Sequence, residues 1–99
     1  MELISNKKIN KPSIYLISPT SIDNKFFPSL LKSVLSTGLI SVFQLRIKKY
    51  SDRETIQIIE NLFPICINYK VPFILNDRAD IAKITGVDGV HLGEEDISI

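Results

Sequence analysis

Tryptophan is missing from this sequence, and cysteine and histidine occur once each, as Cys66 and His91. With no second thiol to pair with Cys66, the fold cannot depend on disulfides, which suits a reducing compartment. One histidine and one cysteine far apart in the chain do not make a zinc site. Neither a Gly-rich phosphate loop nor a nucleophile elbow is present. No apolar run approaches the ~20 residues that span a bilayer. An excess of one charge is also lacking. The formal net charge is +1, so no broad field favours nucleic acid or an anionic membrane as a partner. Any anion bound here must be held by a few placed side chains. The start, Met1 to Lys11, is polar and lysine-rich, with no apolar stretch of signal-peptide length after it. The expectation is a cytoplasmic protein with a polar tail over 1–12 and one small domain over 13–99.

Hydrophobic residues make up 44% and charged residues 23%, too apolar for disorder and ordinary for a globular domain. Short apolar runs alternate with helical patterns. Ile14 to Ile17 reads as a strand closed by Ser18 and Pro19. Phe26 to Thr37 carries Leu30, Leu31, Val34 and Leu35 at helical spacing, with Gly38 at the stop. Ser41 to Arg46 is a second strand. Ser51 and Glu54 form a capping box that opens a second helix, where Pro64 predicts a kink or an early end. Val71 to Leu75 is a third strand, Asp80 to Thr85 a short helix stopped by Gly86, and Gly89 to Leu92 a fourth strand. Strands separated by helices pair in parallel, so the class is α/β. A small open sheet and part of a barrel fit the pattern equally.

The second strand is the most informative. Phe43, Leu45 and Ile47 alternate with Gln44, Arg46 and Lys48, so the polar trio shares one face. Covered parallel strands normally read as continuous apolar runs. The trio is either a solvated, charge-protected edge strand or an anion pocket, in which an Arg fork and a Lys point charge meet phosphate oxygens while Gln orients a neutral ring. Asn76 and Asp77 end the third strand; in isolation they read as a turn, with Asp77 capping the next helix. Glu94, Glu95 and Asp96 follow the fourth strand and read as a solvated acidic loop, or with Asp77 as ligands for Mg²⁺. His91 reads as packed or hydrogen-bonded rather than catalytic. All three clusters fall at the carboxyl ends of parallel strands, where such sheets bind ligands. Composition and spacing lead to an incomplete Mg²⁺-dependent phosphate or pyrophosphate site.

The succession of Tyr15-Leu16-Ile17, Gln44-Leu45-Arg46 with Lys48, Phe73-Ile74-Leu75-Asn76-Asp77-Arg78 with Asp80 and Ala82, and Gly86 with Asp88-Gly89-Val90-His91-Leu92-Gly93 and Asp96 resembles the thiamine phosphate synthase family. The match runs in order over nearly the whole chain after the first dozen residues. The resemblance implies a (β/α)₈ barrel of which this chain is the first four strands, a parallel half-barrel. It also implies an alkyl transfer that joins hydroxymethylpyrimidine pyrophosphate to thiazole phosphate, giving thiamine phosphate and pyrophosphate. Gln44 would contact the pyrimidine, Arg46, Lys48 and Asn76 the pyrophosphate, and Asp77 and Asp96 would ligate Mg²⁺. No protein nucleophile is needed, in agreement with the absence of one.

Three departures from the family pattern stand out. Ser18 and Pro19 follow the first strand where an aspartate is usual, and Glu94 stands where Gln is usual. The chain also ends shortly after Asp96, without strands five to eight, their thiazole-phosphate site or the remaining pyrophosphate contacts. Alternatives are a thiazole tautomerase-like relative and a non-catalytic truncated remnant or fragment. The basic trio with Asp77 and Asp96 favours the synthase, because a tautomerase has no pyrophosphate to hold. An open half-barrel exposes strand edges, so self-association or a missing C-terminal half is expected as partner, and activity of the chain alone is not.

Overall fold

The computed structural model describes residues 1–5 and 14–92 of the chain. Its elements are β1 (Glu2–Ser5), β2 (Ile14–Ile17), α1 (Phe27–Leu35), β3 (Ile40–Leu45), α2 (Asp52–Asn68), β4 (Phe73–Asn76), α3 (Ala79–Thr85) and β5 (Gly89–His91). The strands form one sheet in the order β1-β2-β3-β4-β5. The pairs from β2 to β5 are parallel, and β1 runs antiparallel to β2. A sheet whose sequential neighbours pair in parallel through helices is the expected α/β half-barrel. No helix among the described residues is long and apolar enough to cross a membrane.

Register assigns the faces. Leu16 pairs with Phe43, Phe43 with Phe73 and Leu45 with Leu75. All five are essentially inaccessible and pack in one cluster with Leu31, Leu35, Ile58, Ile59 and Leu62 from the helices. The ring of Phe43 lies 6.3 Å from that of Phe27 and 5.4 Å, edge on, from that of Phe73. Burying one such ring contributes roughly 1.5–3 kcal/mol. The other face carries Tyr15 and Ile17, Val42 and Gln44, Ile74, and Gly89, each in register with the next strand. This is the face away from the helices.

The helix signals act as the sequence predicts. In α2 the Ser51 hydroxyl accepts from the Glu54 amide at 3.1 Å, and the Glu54 carboxylate accepts from the Ser51 amide at 2.9 Å. Gly86 ends α3 with φ +76°, a conformation in which a Cβ is costly. α2 ends on the same geometry without glycine. Lys70 sits at φ +58°, its amide donates to the Ile67 carbonyl, and the Val71 amide donates to the Cys66 carbonyl, which together make a Schellman motif.

Two expectations need correction. Of the two outcomes expected at Pro64, the early end does not occur, because α2 runs on to Asn68. Pro64 and Glu60 are both exposed, so the carbonyl that loses its donor faces water, where the loss is smallest. The stretch 1–12 is read from sequence as tail alone, yet Glu2–Ser5 is a strand. Its local pattern is weak. The open hydrogen-bonding edge of β2 recruits it, a tertiary effect that composition does not show.

Candidate functional site

The carboxyl ends of β2 and β3 meet at a cleft of about 400 Å³ lined by Ile17, Ser18, Pro19 and Thr20, by Arg46 and Lys48, and by Met1 and Glu2 from β1. The alternation read in the second strand places these cations. Phe43 and Leu45 point into the helix-covered core and Ile47 packs against it. Gln44 therefore takes the opposite side, and Arg46 and Lys48, which follow the end of β3, line the cleft. β3 is the middle strand of the sheet, with β2 on one side and β4 on the other, so the solvated-edge explanation of these charges does not hold. Gln44 is 4% exposed, and its Nε2 donates to the Tyr15 hydroxyl at 3.0 Å, which fixes the amide on the open face. Arg46 and Lys48 are exposed at the mouth.

Ser18, which stands where the family pattern has an aspartate, has a structural task. Its buried hydroxyl accepts from the Arg46 amide at 2.9 Å and donates to the Pro19 carbonyl at 3.0 Å. Its own amide donates to the Gln44 carbonyl. One turn further out the Lys48 amide donates to the Thr20 carbonyl at 2.9 Å. The Tyr50 hydroxyl closes the same contact, accepting from the Ile22 amide at 2.9 Å and donating to the Ile22 carbonyl at 3.2 Å. The segment bearing Arg46 and Lys48 is thus tied along its length to the loop after β2.

Asn76 lies two residues beyond Ile74 on β4, pairs with His91 in register and shares the open face. Asp77 follows at φ +69°, an uncommon conformation for a residue with a side chain, and its amide donates to the His91 carbonyl at 2.9 Å. The N-cap position of α3 is taken by Arg78, whose side chain makes no cap bond, and Asp77 stands one residue before it. Neither Asn76 nor Asp77 lines the basic cleft, which opens on the β1 side of β3. His91 is exposed rather than packed. Asp96, with Glu94 and Glu95, lies outside the described residues.

Sequence reasoning missed Tyr15, Tyr50 and the Arg78 ion pairs. The Arg78 guanidinium bonds Asp52 at 2.8 Å and both oxygens of Asp80, at 3.2 and 3.0 Å. Its hydrogen bonds hold the Asp80 carboxyl below the usual carboxylate range. Asp52 opens α2 and Arg78 precedes α3, so the pair joins the loops after β3 and β4. No group of three His, Cys, Asp or Glu side chains among the described residues is arranged to hold a metal. The described part of the donor set is Asp77, one carboxylate. Mg²⁺ accepts that when substrate phosphates and water supply the remaining oxygens.

Comparison with known proteins gives one answer. The family model described as thiamine monophosphate synthase matches residues 14–99. A thiamine-phosphate synthase of Pelagibacter ubique is 41% identical over 96 residues, 97% of this chain and 46% of the relative. That of Rhodospirillum centenum is 41% identical over 83 residues, 84% of this chain and 40% of the relative. Among solved structures, a thiamine phosphate pyrophosphorylase from Pyrococcus furiosus superposes with a TM-score of 0.70 at 29% identity, covering 85% of this chain and 40% of that one. The chain spans less than half the length of the curated relatives it matches. Four parallel strands in sequential order, a basic cleft at their carboxyl ends and a family match from the first of those strands onward agree: the chain belongs to the thiamine monophosphate synthase family.

Proposed function

We propose that this chain supplies the amino half of a thiamine phosphate synthase active site, in the cytoplasm. Residues 13–99 are the first four strands of the barrel, and 1–12 are an appendage to it. The observation that carries this reading is the placement of Arg46 and Lys48 together on the cleft at the mouths of β2 and β3. In the reaction the bond from the pyrimidine methylene carbon to the pyrophosphate oxygen breaks, and the electron pair leaves with pyrophosphate. The thiazole nitrogen then donates its pair to that carbon, forming the new C–N bond.

Each residue has a task in that sequence. Arg46 and Lys48 take up charge on the departing pyrophosphate, and Asn76 adds a hydrogen bond to it. Gln44, held by Tyr15, orients the pyrimidine ring. Asp77 and Asp96 would hold Mg²⁺, which supplies charge neutralisation of the phosphate oxygens. No side chain is asked to act as nucleophile, so the rate depends on positioning and electrostatics. The thiazole phosphate and the remaining pyrophosphate contacts fall to a C-terminal half or a second copy.

Calorimetric titration of the chain with pyrophosphate, with and without Mg²⁺, tests this. Arg46→Ala and Lys48→Ala should each weaken binding about tenfold, as expected for loss of a charge-assisted bond of roughly 1.5–3 kcal/mol at a partly exposed site. Asp77→Ala should weaken it only when Mg²⁺ is present. Affinity unchanged in all three variants removes the assignment.

A further inference from the structure

Arg46 and Lys48 reach the cleft from the segment that follows β3, past its last residue, Leu45. What orders this segment is the one that follows β2. In a parallel pair a residue of one strand bonds two residues of the other, two positions apart, and the rungs are evenly spaced. Ile17 opposite Gln44 is the last pair of β2 with β3, and the Ser18 amide donates to the Gln44 carbonyl at 2.9 Å. In the same pattern the next rung would run from the Arg46 amide to the Ser18 carbonyl. The Arg46 amide donates to the Ser18 hydroxyl instead, at 2.9 Å. The rung after that is regular again, from the Lys48 amide to the Thr20 carbonyl at 2.9 Å. A side chain thus fills one place in a backbone ladder, and that place is at Arg46.

We infer, on the pyrophosphate reading of this cleft, that Ser18 is a positioning residue for Arg46: its hydroxyl holds the backbone there in the direction that brings the guanidinium to the phosphate oxygens.

Ser18 is 5% exposed, so water is poorly placed to take over either of its side-chain bonds. Its proton goes to the Pro19 carbonyl at 3.0 Å, which leaves the hydroxyl no donor for an anion. Direct contact with phosphate is therefore not its role. Pro19 confines Ser18 to extended backbone, which limits the conformations from which the hydroxyl must be recruited. The Lys48 rung uses a carbonyl that any residue at 20 supplies. The Arg46 rung depends on which side chain stands at 18.

The test is a double-mutant cycle, read by calorimetric titration of the whole chain with inorganic pyrophosphate, without Mg²⁺ so that Asp77 does not enter. Ser18→Ala should weaken binding about three- to tenfold, no more than Arg46→Ala does, and should change it less than about twofold when residue 46 is already alanine. The Tm lost on Ser18→Ala should be the same in both backgrounds, because Arg46→Ala keeps the backbone amide. Ser51→Ala removes a hydroxyl-to-amide bond at the start of α2, away from the residues that line the cleft, and should leave affinity unchanged. Ser18→Cys keeps the size of the side chain with a weak acceptor, and takes the place of Ser18→Ala should that variant not fold. Equal loss of affinity from Ser18→Ala in both backgrounds overturns the inference, since the serine would then support the cleft in general. A matching loss in Ser51→Ala does the same, because affinity would then follow stability alone. Unchanged affinity in Ser18→Ala beside a clear loss in Arg46→Ala also overturns it and leaves the proposed function standing. Unchanged affinity in Arg46→Ala removes the proposed function, and the positioning role with it.

Discussion

Lys70 and Gly86 occupy the same backbone conformation at the ends of α2 and α3, φ +58° and +76°, and only one of them is glycine. An L side chain in this left-handed region costs roughly 1–2 kcal/mol relative to the right-handed one. Glycine avoids that cost but loses about 0.5–1 kcal/mol more conformational freedom on folding. The difference leaves glycine ahead of alanine by about 0.5–1 kcal/mol at both positions, the reverse of a helix interior, where alanine leads by a similar amount. Sterics add nothing at Gly86, where a Cβ meets no atom within 4 Å. At Lys70 the side chain is exposed, so no packing is lost on removing it. Its charge does favour the carboxyl end of α2 by a few tenths of a kcal/mol. Lys70→Ala isolates that charge effect, and the step from Ala to Gly isolates the backbone.

Urea unfolding followed by far-ultraviolet circular dichroism should rank Lys70→Gly above Lys70→Ala, and the unchanged protein above Gly86→Ala. A thermal melt of the same variants should show shifts in Tm of roughly 2–8 °C for a domain of this size. Alanine equal to or better than glycine at position 70 would refute the reasoning, since the left-handed turn would then not be what the chain adopts on leaving α2.

Burial and a Coulombic contribution from Asp88, in that order, push the Cys66 thiol up to about 12. The thiolate fraction at pH 8 is then ~10⁻⁴, so a disulfide reagent should react at least ~10³-fold more slowly with the folded protein than in urea; equal rates would show Cys66 exposed. The raised value also means that stability holds below about 9, the ordinary value, and declines as pH rises towards 12 because the unfolded thiol ionises first. Ser51→Ala should cost about 1 kcal/mol through loss of the bond to the Glu54 amide, measured by the same urea titration. The Ser51 backbone amide, then its hydroxyl, hold the Glu54 carboxyl below its ordinary value. The advantage of Glu54 over Glu54→Gln should therefore be present at neutral pH and be lost as pH falls below the ordinary carboxylate range, read as converging Tm values. Phe43→Ala removes the ring that joins Phe27 to Phe73 and should cost ~3–5 kcal/mol, comparable to the whole margin of a small domain. A cooperative native transition at 25 °C in that variant would contradict the packing described.

The sequence carried its local signals openly. Ser51 with Glu54, Gly38 and Gly86 bounded helices, and the alternation from Phe43 to Lys48 divided buried from open face before any coordinate was known. What stayed hidden depends on distance along the chain. Tyr50 meets Ile22, and Gln44 meets Tyr15, across 28 and 29 residues, and no spacing rule connects them. β1 is decided by an unsatisfied edge, not by Glu2–Ser5 themselves. Pro64 is a helix breaker by composition, yet it sits on the wet side of α2 and the helix continues past it to Asn68. Of the side chains singled out, Gln44 and Asn76 sit on strands, where parity fixes the face they take; Arg46 and Lys48 follow the end of β3. The direction taken at Asp77 could not be read from parity, because its left-handed backbone breaks the alternation.

The ties among the strand mouths have a thermodynamic consequence. Tyr50 and Lys48 bind the second mouth to the first, Arg78 binds the third to the second through Asp52, and the Asp77 amide binds the fourth to the third. Ordering a loop residue costs about 1–2 kcal/mol of backbone entropy, and each of these bonds offsets part of that cost on folding rather than on binding. A ligand that meets loops already tied to one another is charged mainly for its own immobilisation.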